Sequence, residues 1–194
     1  MITGFRFARG GAQEWFGGVT PDLTTLAKGL GGGFPVAAVG GSTEAMHLVA
    51  EGVYSHSGTY NANVVQCAAV SATMDLLAEP GLYERQRALG HRLAAGLGEL
   101  AAERGLDAYC EGLGTVFQLW FADGPIHNWR DAVSHADEAL FTRWYEEMVI
   151  RGGVLFHPLQ FENLFVSLVH DDRDIDETLQ AAADALTVVA RTRT

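Results

Sequence analysis

Residues 21–35 read PDLTTLAKGLGGGFP and hold Lys28, the only lysine in a chain of 194 residues. Four glycines follow it within five residues. Glycine lacks a Cβ atom and accepts positive φ, so this pattern favours a backbone that passes close to a bulky planar or phosphorylated ligand. A P-loop is excluded because its glycines precede the lysine. A lone sheltered lysine suits Schiff-base chemistry through a neutral, nucleophilic amine, and an ordinary solvated lysine beside a glycine turn is the alternative.

Apolar periodicity outside this stretch predicts an α/β protein. Helices are predicted at residues 44–49, 61–78, 82–104, 132–150 and 174–189, and strands at residues 36–41, 115–121, 154–156 and 164–168. Before residue 36 the many glycines favour loops and short segments. From about residue 106 the order strand, helix, strand, strand, helix indicates a small α/β domain. We place the domain boundary inside the long helix, near residues 80–85.

The sequence predicts the burial or exposure of three sets of apolar residues. The helix at 61–78 has one apolar face, formed by Val65, Ala68, Ala69, Ala72 and Leu76. An aromatic set is expected in the core of the small domain, namely Trp120, Phe121, Trp129, Trp144 and Tyr145. A third set is expected to lie exposed in the glycine-rich part, namely Phe5, Trp15, Phe16, Leu30 and Phe34.

Composition narrows the classes of function. The chain is 48% apolar and 19% charged, which excludes an intrinsically disordered protein. Its formal net charge of -11 argues against nucleic acid or an anionic membrane surface as a partner, because both need clustered lysine and arginine. Cys67 and Cys110 lack zinc-ligand spacing, and no signal-peptide pattern opens the chain. We therefore expect reduced thiols, no metal site and a cytoplasmic protein.

Several runs of sequence resemble the class III aminotransferases of fold type I, which depend on pyridoxal phosphate. They occur in the family's order and are residues 2–6 (ITGFR), 21–29 (PDLTTLAKG), the triple glycine leading to Pro35, and 57–63 (SGTYNAN). Residues 153–170 (GVLFHPLQFENLFVSLVH), followed by Asp-Ile-Asp at 174–176, resemble most the branch of glutamate-1-semialdehyde aminomutases. The resemblance covers essentially the whole chain but only the C-terminal portion of the family's chain.

The resemblance implies roles for four residues. Lys28 matches the catalytic lysine that forms a Schiff base with pyridoxal phosphate and then moves a proton between substrate and cofactor. Gly58 and Thr59 match a cofactor-binding loop that reaches across a dimer to the phosphate, where amide and hydroxyl donors are chemically apt. Glu162 matches an active-site glutamate that assists Lys28 in catalysis or meets the substrate amine. The structural alternatives are a helix cap at Thr59 and a solvated turn residue at Glu162.

The resemblance also implies a domain plan and partners. Residues 1–82 would be the C-terminal part of the large cofactor-binding domain, and residues 83–194 the small C-terminal α/β domain. The partners would be a small amino acid or semialdehyde substrate and, in the full-length form, a second copy in a homodimer.

In the family's order, the carboxylate that faces the pyridine nitrogen precedes residue 1, as do the phosphate turn and the ring-stacking residue. We therefore expect Met1 to be an internal codon of a longer reading frame. Two alternatives to an aminomutase-type enzyme stay open. One is an inactive fragment or one piece of a split enzyme, and the other is a class III transaminase with another amino donor.

Overall fold

Short elements separated by glycine turns build the first part of the chain, as its composition predicts. In the computed structural model, which describes residues 1–192, they are α1 (Ala12–Trp15), β1 (Leu23–Leu26), a 3-10 turn (Lys28–Gly31), β2 (Ala38–Gly41), α2 (Thr43–Ala50) and α3 (Val64–Leu76). Strands β1 and β2 pair antiparallel, with Leu23 opposite Gly41. The 3-10 turn that begins at Lys28 lies in the connection between these two strands.

Helix α3 forms where the sequence predicts a helix, although its apolar face stays uncovered. The Asn63 side chain caps it by accepting hydrogen bonds from the N–H groups of Val65 at 3.1 Å and Gln66 at 3.2 Å. No residue of the helix is buried, and Val65 and Leu76 are 61% and 58% exposed. The cap and the helical propensity of the segment therefore define α3, while its apolar face is left largely exposed by residues 1–192.

The remaining elements form an antiparallel sheet with helices packed against it. They are α4 (Leu82–Glu103), β3 (Ala108–Gly112), β4 (Val116–Phe121), α5 (Trp129–His135), α6 (Glu138–Ile150), β5 (Leu164–Phe165) and α7 (Asp172–Arg191). The strand order is β3-β4-β5. Helix α7 begins with a capping box, in which the side chains of Asp171 and Asp174 each accept the other residue's backbone N–H.

The chain divides into two compact units, Met1–Tyr83 and Glu84–Thr194, near the start of α4. Assignment of residues 1–82 and 83–194 to the two domains of the family fold stays a prediction. None of the described helices is long and apolar enough to cross a bilayer.

The core of the second unit lies between the sheet and helices α4, α6 and α7. Alternate residues of β4 enter it, with Phe117, Leu119 and Phe121 at most 2% exposed. Trp144 is 1% exposed, and its ring centroid lies 5.5 Å from that of Phe141 and 6.0 Å from that of Phe121. A chain of this length thus builds a real hydrophobic core in its second half.

Two expectations about burial are wrong. Phe121, Trp144 and Tyr145 do belong to the core or pack against it, but Trp129 is 65% exposed, because it opens a short helix at the surface. Of the set expected to be exposed, Phe16 and Phe34 are exposed and Phe5 and Trp15 are half-buried. Leu30 is only 5% exposed, since the 3-10 turn folds it inward.

The predicted elements also need correction in the second unit. The single helix expected at 132–150 is two helices, because Ala136 is extended and Asp137 caps α6 by accepting the N–H of Leu140 at 2.9 Å. Residues 154–156 join no ladder, and the strand expected at 164–168 is reduced to two residues. Strand β3 was missed, because its sequence, AYCEG, lacks a regular alternation of apolar and polar residues.

The two cysteines are expected to differ in reactivity. Burial raises the pKa of the Cys110 thiol from 9.0 to about 12, whereas Cys67 is exposed. The thiolate is the nucleophile, so iodoacetamide at about pH 8 should modify Cys67 first, and Cys110 only as the pH approaches its raised pKa or after unfolding. Mass spectrometry of each cysteine peptide over time measures this. Equal rates in the folded chain would contradict the burial of Cys110.

Candidate active site

Lys28 occupies a strained backbone position at the start of the 3-10 turn. Its φ is 52°, in the left-handed region that residues with a Cβ avoid. Two other non-glycine residues among 1–192 have positive φ, namely Phe5 at 62° and Ala62 at 54°. All three lie in the runs that carry the family resemblance. Such strain persists only where the surrounding structure enforces it, and it concentrates at functional sites.

The glycines after Lys28 allow the turn to pack closely against its neighbours. A Cβ atom at Gly31 would collide with Val36, and one at Gly32 would lie 2.9 Å from the Thr73 hydroxyl oxygen on α3. Gly32 is also left-handed, with φ of 56°. The loop is thus fixed on its C-terminal side by close packing, which explains the glycine run without a bound phosphate.

The Lys28 side chain itself is exposed. The expectation of a sheltered amine is wrong for residues 1–192, because the glycine loop encloses Leu30 and Gly31 but not Lys28. The backbone at Lys28 is fixed, as the glycines predict, and its amine faces solvent. An exposed amine is free to react with an aldehyde from solvent.

Gly58 and Thr59 lie in an exposed turn that leads into α3. The Gly58 carbonyl accepts the N–H of Asn61 at 3.0 Å, and the Asn61 side chain donates to the carbonyl of His56 at 3.3 Å. The cap of α3 is Asn63, so the alternative of Thr59 as the helix cap is wrong. The Gly58–Thr59 turn therefore exposes an amide and a hydroxyl that could reach an anion.

The Lys28 turn and the Gly58–Thr59 turn both adjoin α3. The 3-10 turn packs against this helix, and the other turn runs into its first residue. An open groove of about 1030 Å³ lies beside them, lined by Leu30, residues 35–39 and residues 60–63 among others. The Gln66 side chain bridges its two walls by donating to the Pro35 carbonyl at 2.9 Å.

Glu162 lies in the second unit and is exposed. Its N–H donates to the Leu159 carbonyl at 3.1 Å, which places it in a turn. Lys28 belongs to the first unit, so cooperation between the two side chains stays a prediction. The alternative of a solvated turn residue agrees with its exposure in this chain.

A buried glutamine next to Glu162 holds this turn and was missed by the sequence analysis. Gln160 is 1% exposed. Its carbonyl side-chain oxygen accepts the N–H of Phe121 at 3.2 Å, and its backbone carbonyl accepts a hydrogen bond from the Gln118 side chain. Polar groups at such depth are kept only when they are hydrogen-bonded, which marks Gln160 as the anchor of the loop. A glutamine before a Phe-Glu pair is the only sequence signal for it.

Two histidines near Glu162 in sequence act as hydrogen-bond acceptors. His157 and His170 use Nδ1 to accept the N–H groups of Leu159 and Ser167, both at 3.2 Å. Within residues 1–192 no group of three His, Cys, Asp or Glu side chains could hold a metal ion.

The strain at Ala62 makes a testable stability prediction. Ala62→Gly should stabilise the first unit by about 1 kcal/mol, because glycine adopts φ of 54° without a Cβ clash. The matched control is Ala68→Gly, an exposed position inside α3, which should instead cost about 1 kcal/mol. Urea unfolding of both variants measures the signs. Destabilisation by both would show that residue 62 is not strained.

The family model described as aminotransferase class-III matches residues 1–186. A glutamate-1-semialdehyde 2,1-aminomutase of Thermomicrobium roseum is 43% identical over 192 residues, which are 98% of this chain and 44% of the relative. The chain thus spans less than half the length of this curated relative.

Solved structures of similar fold include transaminases. An omega-transaminase from Sphaerobacter thermophilus has a TM-score of 0.82 and 30% identity, over 96% of this chain and 42% of its own. A transaminase solved with pyridoxal phosphate bound has a TM-score of 0.84 and 25% identity, over 98% of this chain and 43% of its own. The expectations of an α/β fold and of the C-terminal part of a fold type I transferase are therefore confirmed.

Proposed function

The chain belongs to the class III aminotransferase family, and from this premise we propose that it carries out the lysine-dependent part of amino-group transfer with pyridoxal phosphate. The proposed type is glutamate-1-semialdehyde 2,1-aminomutase, which is supported by 43% identity to the Thermomicrobium roseum enzyme. The observation that carries the proposal is Lys28, the only lysine, held at φ of 52° at the start of a glycine turn.

The residues present fit part of the cofactor site. Lys28 offers an exposed primary amine, and the Gly58–Thr59 turn offers an exposed amide and hydroxyl suited to a phosphate. When bound, pyridoxal phosphate supplies an electron sink for charge that develops on the substrate. The donors therefore suit the aldehyde and phosphate ends of the cofactor.

In this proposal each side chain of the chain has a defined task. Lys28 would hold the cofactor through Nζ until the substrate amine displaces it, and its freed neutral amine would then remove and return a proton at the substrate carbon. Thr59 donates its hydroxyl hydrogen to a phosphate oxygen, in the homodimer that we propose for the full-length form. Glu162 accepts a hydrogen bond from the substrate amine or assists the proton transfers at Lys28.

Two other candidate functions have an observation in their favour. The uncovered apolar face of α3 favours an inactive fragment or one piece of a split enzyme, because such a face is suited to a complementary chain. The likeness to an omega-transaminase favours a class III transaminase with another amino donor. Both candidates keep the fold and differ from the main proposal in activity or substrate.

Incubation of the chain with pyridoxal phosphate, followed by borohydride reduction and peptide mapping, tests the cofactor part of the proposal. We expect visible absorbance that borohydride removes, with the stable label on Lys28. A chain without either signal would be an inactive fragment by this measure. A second assay tests the substrate. The chain is combined with the complementary part of a relative, and conversion of glutamate-1-semialdehyde to 5-aminolevulinate is measured.

Glu162 should separate aminomutase chemistry from ordinary transamination. A mutase returns the amino group to the neighbouring carbon, so a carboxylate that assists two proton transfers should matter to both half-reactions. In the complemented enzyme, Glu162→Gln should lower 5-aminolevulinate formation by roughly a hundredfold, with unchanged cofactor absorbance.

The matched control is Glu111→Gln, an exposed glutamate of the same unit, which should leave turnover unchanged. Efficient transamination of unrelated amines, without 5-aminolevulinate and without an effect of Glu162→Gln, would remove the aminomutase assignment and keep the family.

A further inference from the structure

Tyr83 is the last residue of the first unit, and its side chain contacts the first residues of the chain. It is 9% exposed, and its hydroxyl donates to the carbonyl oxygen of Phe5 at 3.1 Å. Burial raises the pKa of Tyr83, and the nearby charge of Glu14 raises it further against a smaller opposite effect of Arg9. The hydroxyl therefore keeps its proton and remains a donor at all ordinary pH values.

The carbonyl that Tyr83 holds belongs to a strained turn. Phe5 has φ of 62°, and the N–H of Arg6 donates to the Thr3 carbonyl at 3.3 Å to close the turn. A phenylalanine with positive φ relaxes to negative φ unless contacts prevent it. The Tyr83 hydrogen bond is such a contact, because it fixes the direction of the Phe5 carbonyl.

The same turn lies beside the Leu26 side chain and the Gly29 backbone, which flank Lys28 in sequence. A Cβ atom at Gly29 would lie 3.6 Å from the Gly4 carbonyl oxygen, and one at Gly4 would lie 3.5 Å from Leu26 Cδ2. The Gly4–Phe5 turn thus meets the residues two before and one after Lys28. Rotation of this turn would therefore remove a neighbour of both Leu26 and Gly29.

We propose that Tyr83 is a positioning residue that holds Lys28 in its left-handed conformation through the Gly4–Phe5 turn. The hydroxyl fixes the turn, the turn supports Leu26 and Gly29, and these keep Lys28 at positive φ. The reactive role of Lys28 in this proposal rests on the proposed function, whereas the mechanical link from Tyr83 to Lys28 does not.

Hydrogen exchange of the full chain tests the mechanical link. Tyr83→Phe removes only the hydroxyl, and we expect the amides of residues 26–33 to exchange about fivefold faster, the factor that corresponds to one net hydrogen bond. The matched control is Tyr54→Phe, at a tyrosine of the same unit that is 64% exposed, and it should change nothing. Unchanged exchange at residues 26–33 would overturn the proposal. An equal increase throughout the first unit would also overturn it, because that is the result expected for an ordinary core residue.

Chemical labelling tests the consequence for the amine. Lys28 and the N-terminus are the only primary amines, so the label from pyridoxal phosphate and borohydride partitions between two places. In Tyr83→Phe we expect the ratio of label on Lys28 to label on the N-terminus to fall about fivefold, and the pH dependence of labelling at Lys28 to change. Faster exchange at residues 26–33 in Tyr83→Phe, with no label on Lys28 in any variant, would support the mechanical link and contradict the proposed function. An unchanged ratio of label on Lys28 to label on the N-terminus, with normal labelling of Lys28, would contradict the positioning role of Tyr83.

Discussion

Lys28→Arg is expected to remove all borohydride-stable pyridoxal phosphate from the side chains of this protein. A guanidinium group stays protonated and forms no imine, and Lys28 carries the only side-chain primary amine. The variant keeps the positive charge at an exposed position, so the fold should be unaffected. The measurement is peptide mapping after reduction, with circular dichroism as the check on folding.

The control for this result introduces an amine elsewhere. Arg173→Lys places a primary amine at an exposed position of α7 while Lys28 remains, and we expect Lys28 to take most of the label. Preference for Lys28 requires that its surroundings favour the cofactor. Equal labelling of both amines would mean that Lys28 is an ordinary solvated lysine beside a glycine turn.

The glycine run after Lys28 could be interpreted from sequence because its effect is local. Glycine permits left-handed backbone and close approach wherever it occurs, and Gly31 and Gly32 use both properties. The exposure of the Lys28 side chain could not be predicted, since exposure depends on which distant segments cover a residue. For the same reason, the apolar face of α3 could be predicted from the sequence, whereas its exposure to solvent could not.

Strands were harder to predict than helices in this chain. A helix satisfies its own hydrogen bonds, so caps such as Asn63 and Asp171 locate α3 and α7 from neighbouring residues alone. A strand needs a partner, and residues 154–156 have strand composition without pairing. Gln160 was missed because its importance comes entirely from Phe121 and Gln118, which lie about forty residues earlier.

Trp144→Ala is expected to be the most destabilising single change in the second unit. The side chain is 1% exposed and packs against Phe121, Phe141 and Phe156, the last with ring centroids 4.7 Å apart. Its indole N–H has no hydrogen-bond partner among the described residues, so packing accounts for its contribution. Truncation leaves a cavity and should cost about 3–5 kcal/mol, a large share of the stability of an ordinary domain.

The cost of this change should extend to the Glu162 turn. Phe156 joins Trp144 to the loop that Gln160 anchors, so loss of the indole loosens both ends of that loop. Urea unfolding gives the stability, and alkylation of Cys110, which is half-buried against this core, reports its opening. Trp144→Phe keeps an aromatic ring, removes the unpaired N–H and should recover more than half of the loss.

Trp129→Ala is the matched control, because this tryptophan is 65% exposed. It should change stability by less than about 1 kcal/mol and leave the alkylation of Cys110 slow. Equal effects of Trp129→Ala and Trp144→Ala would show that Trp144 does not lie in the core. A large loss in Trp144→Ala with Cys110 still protected would show instead that the aromatic cluster and the sheet of the second unit open separately.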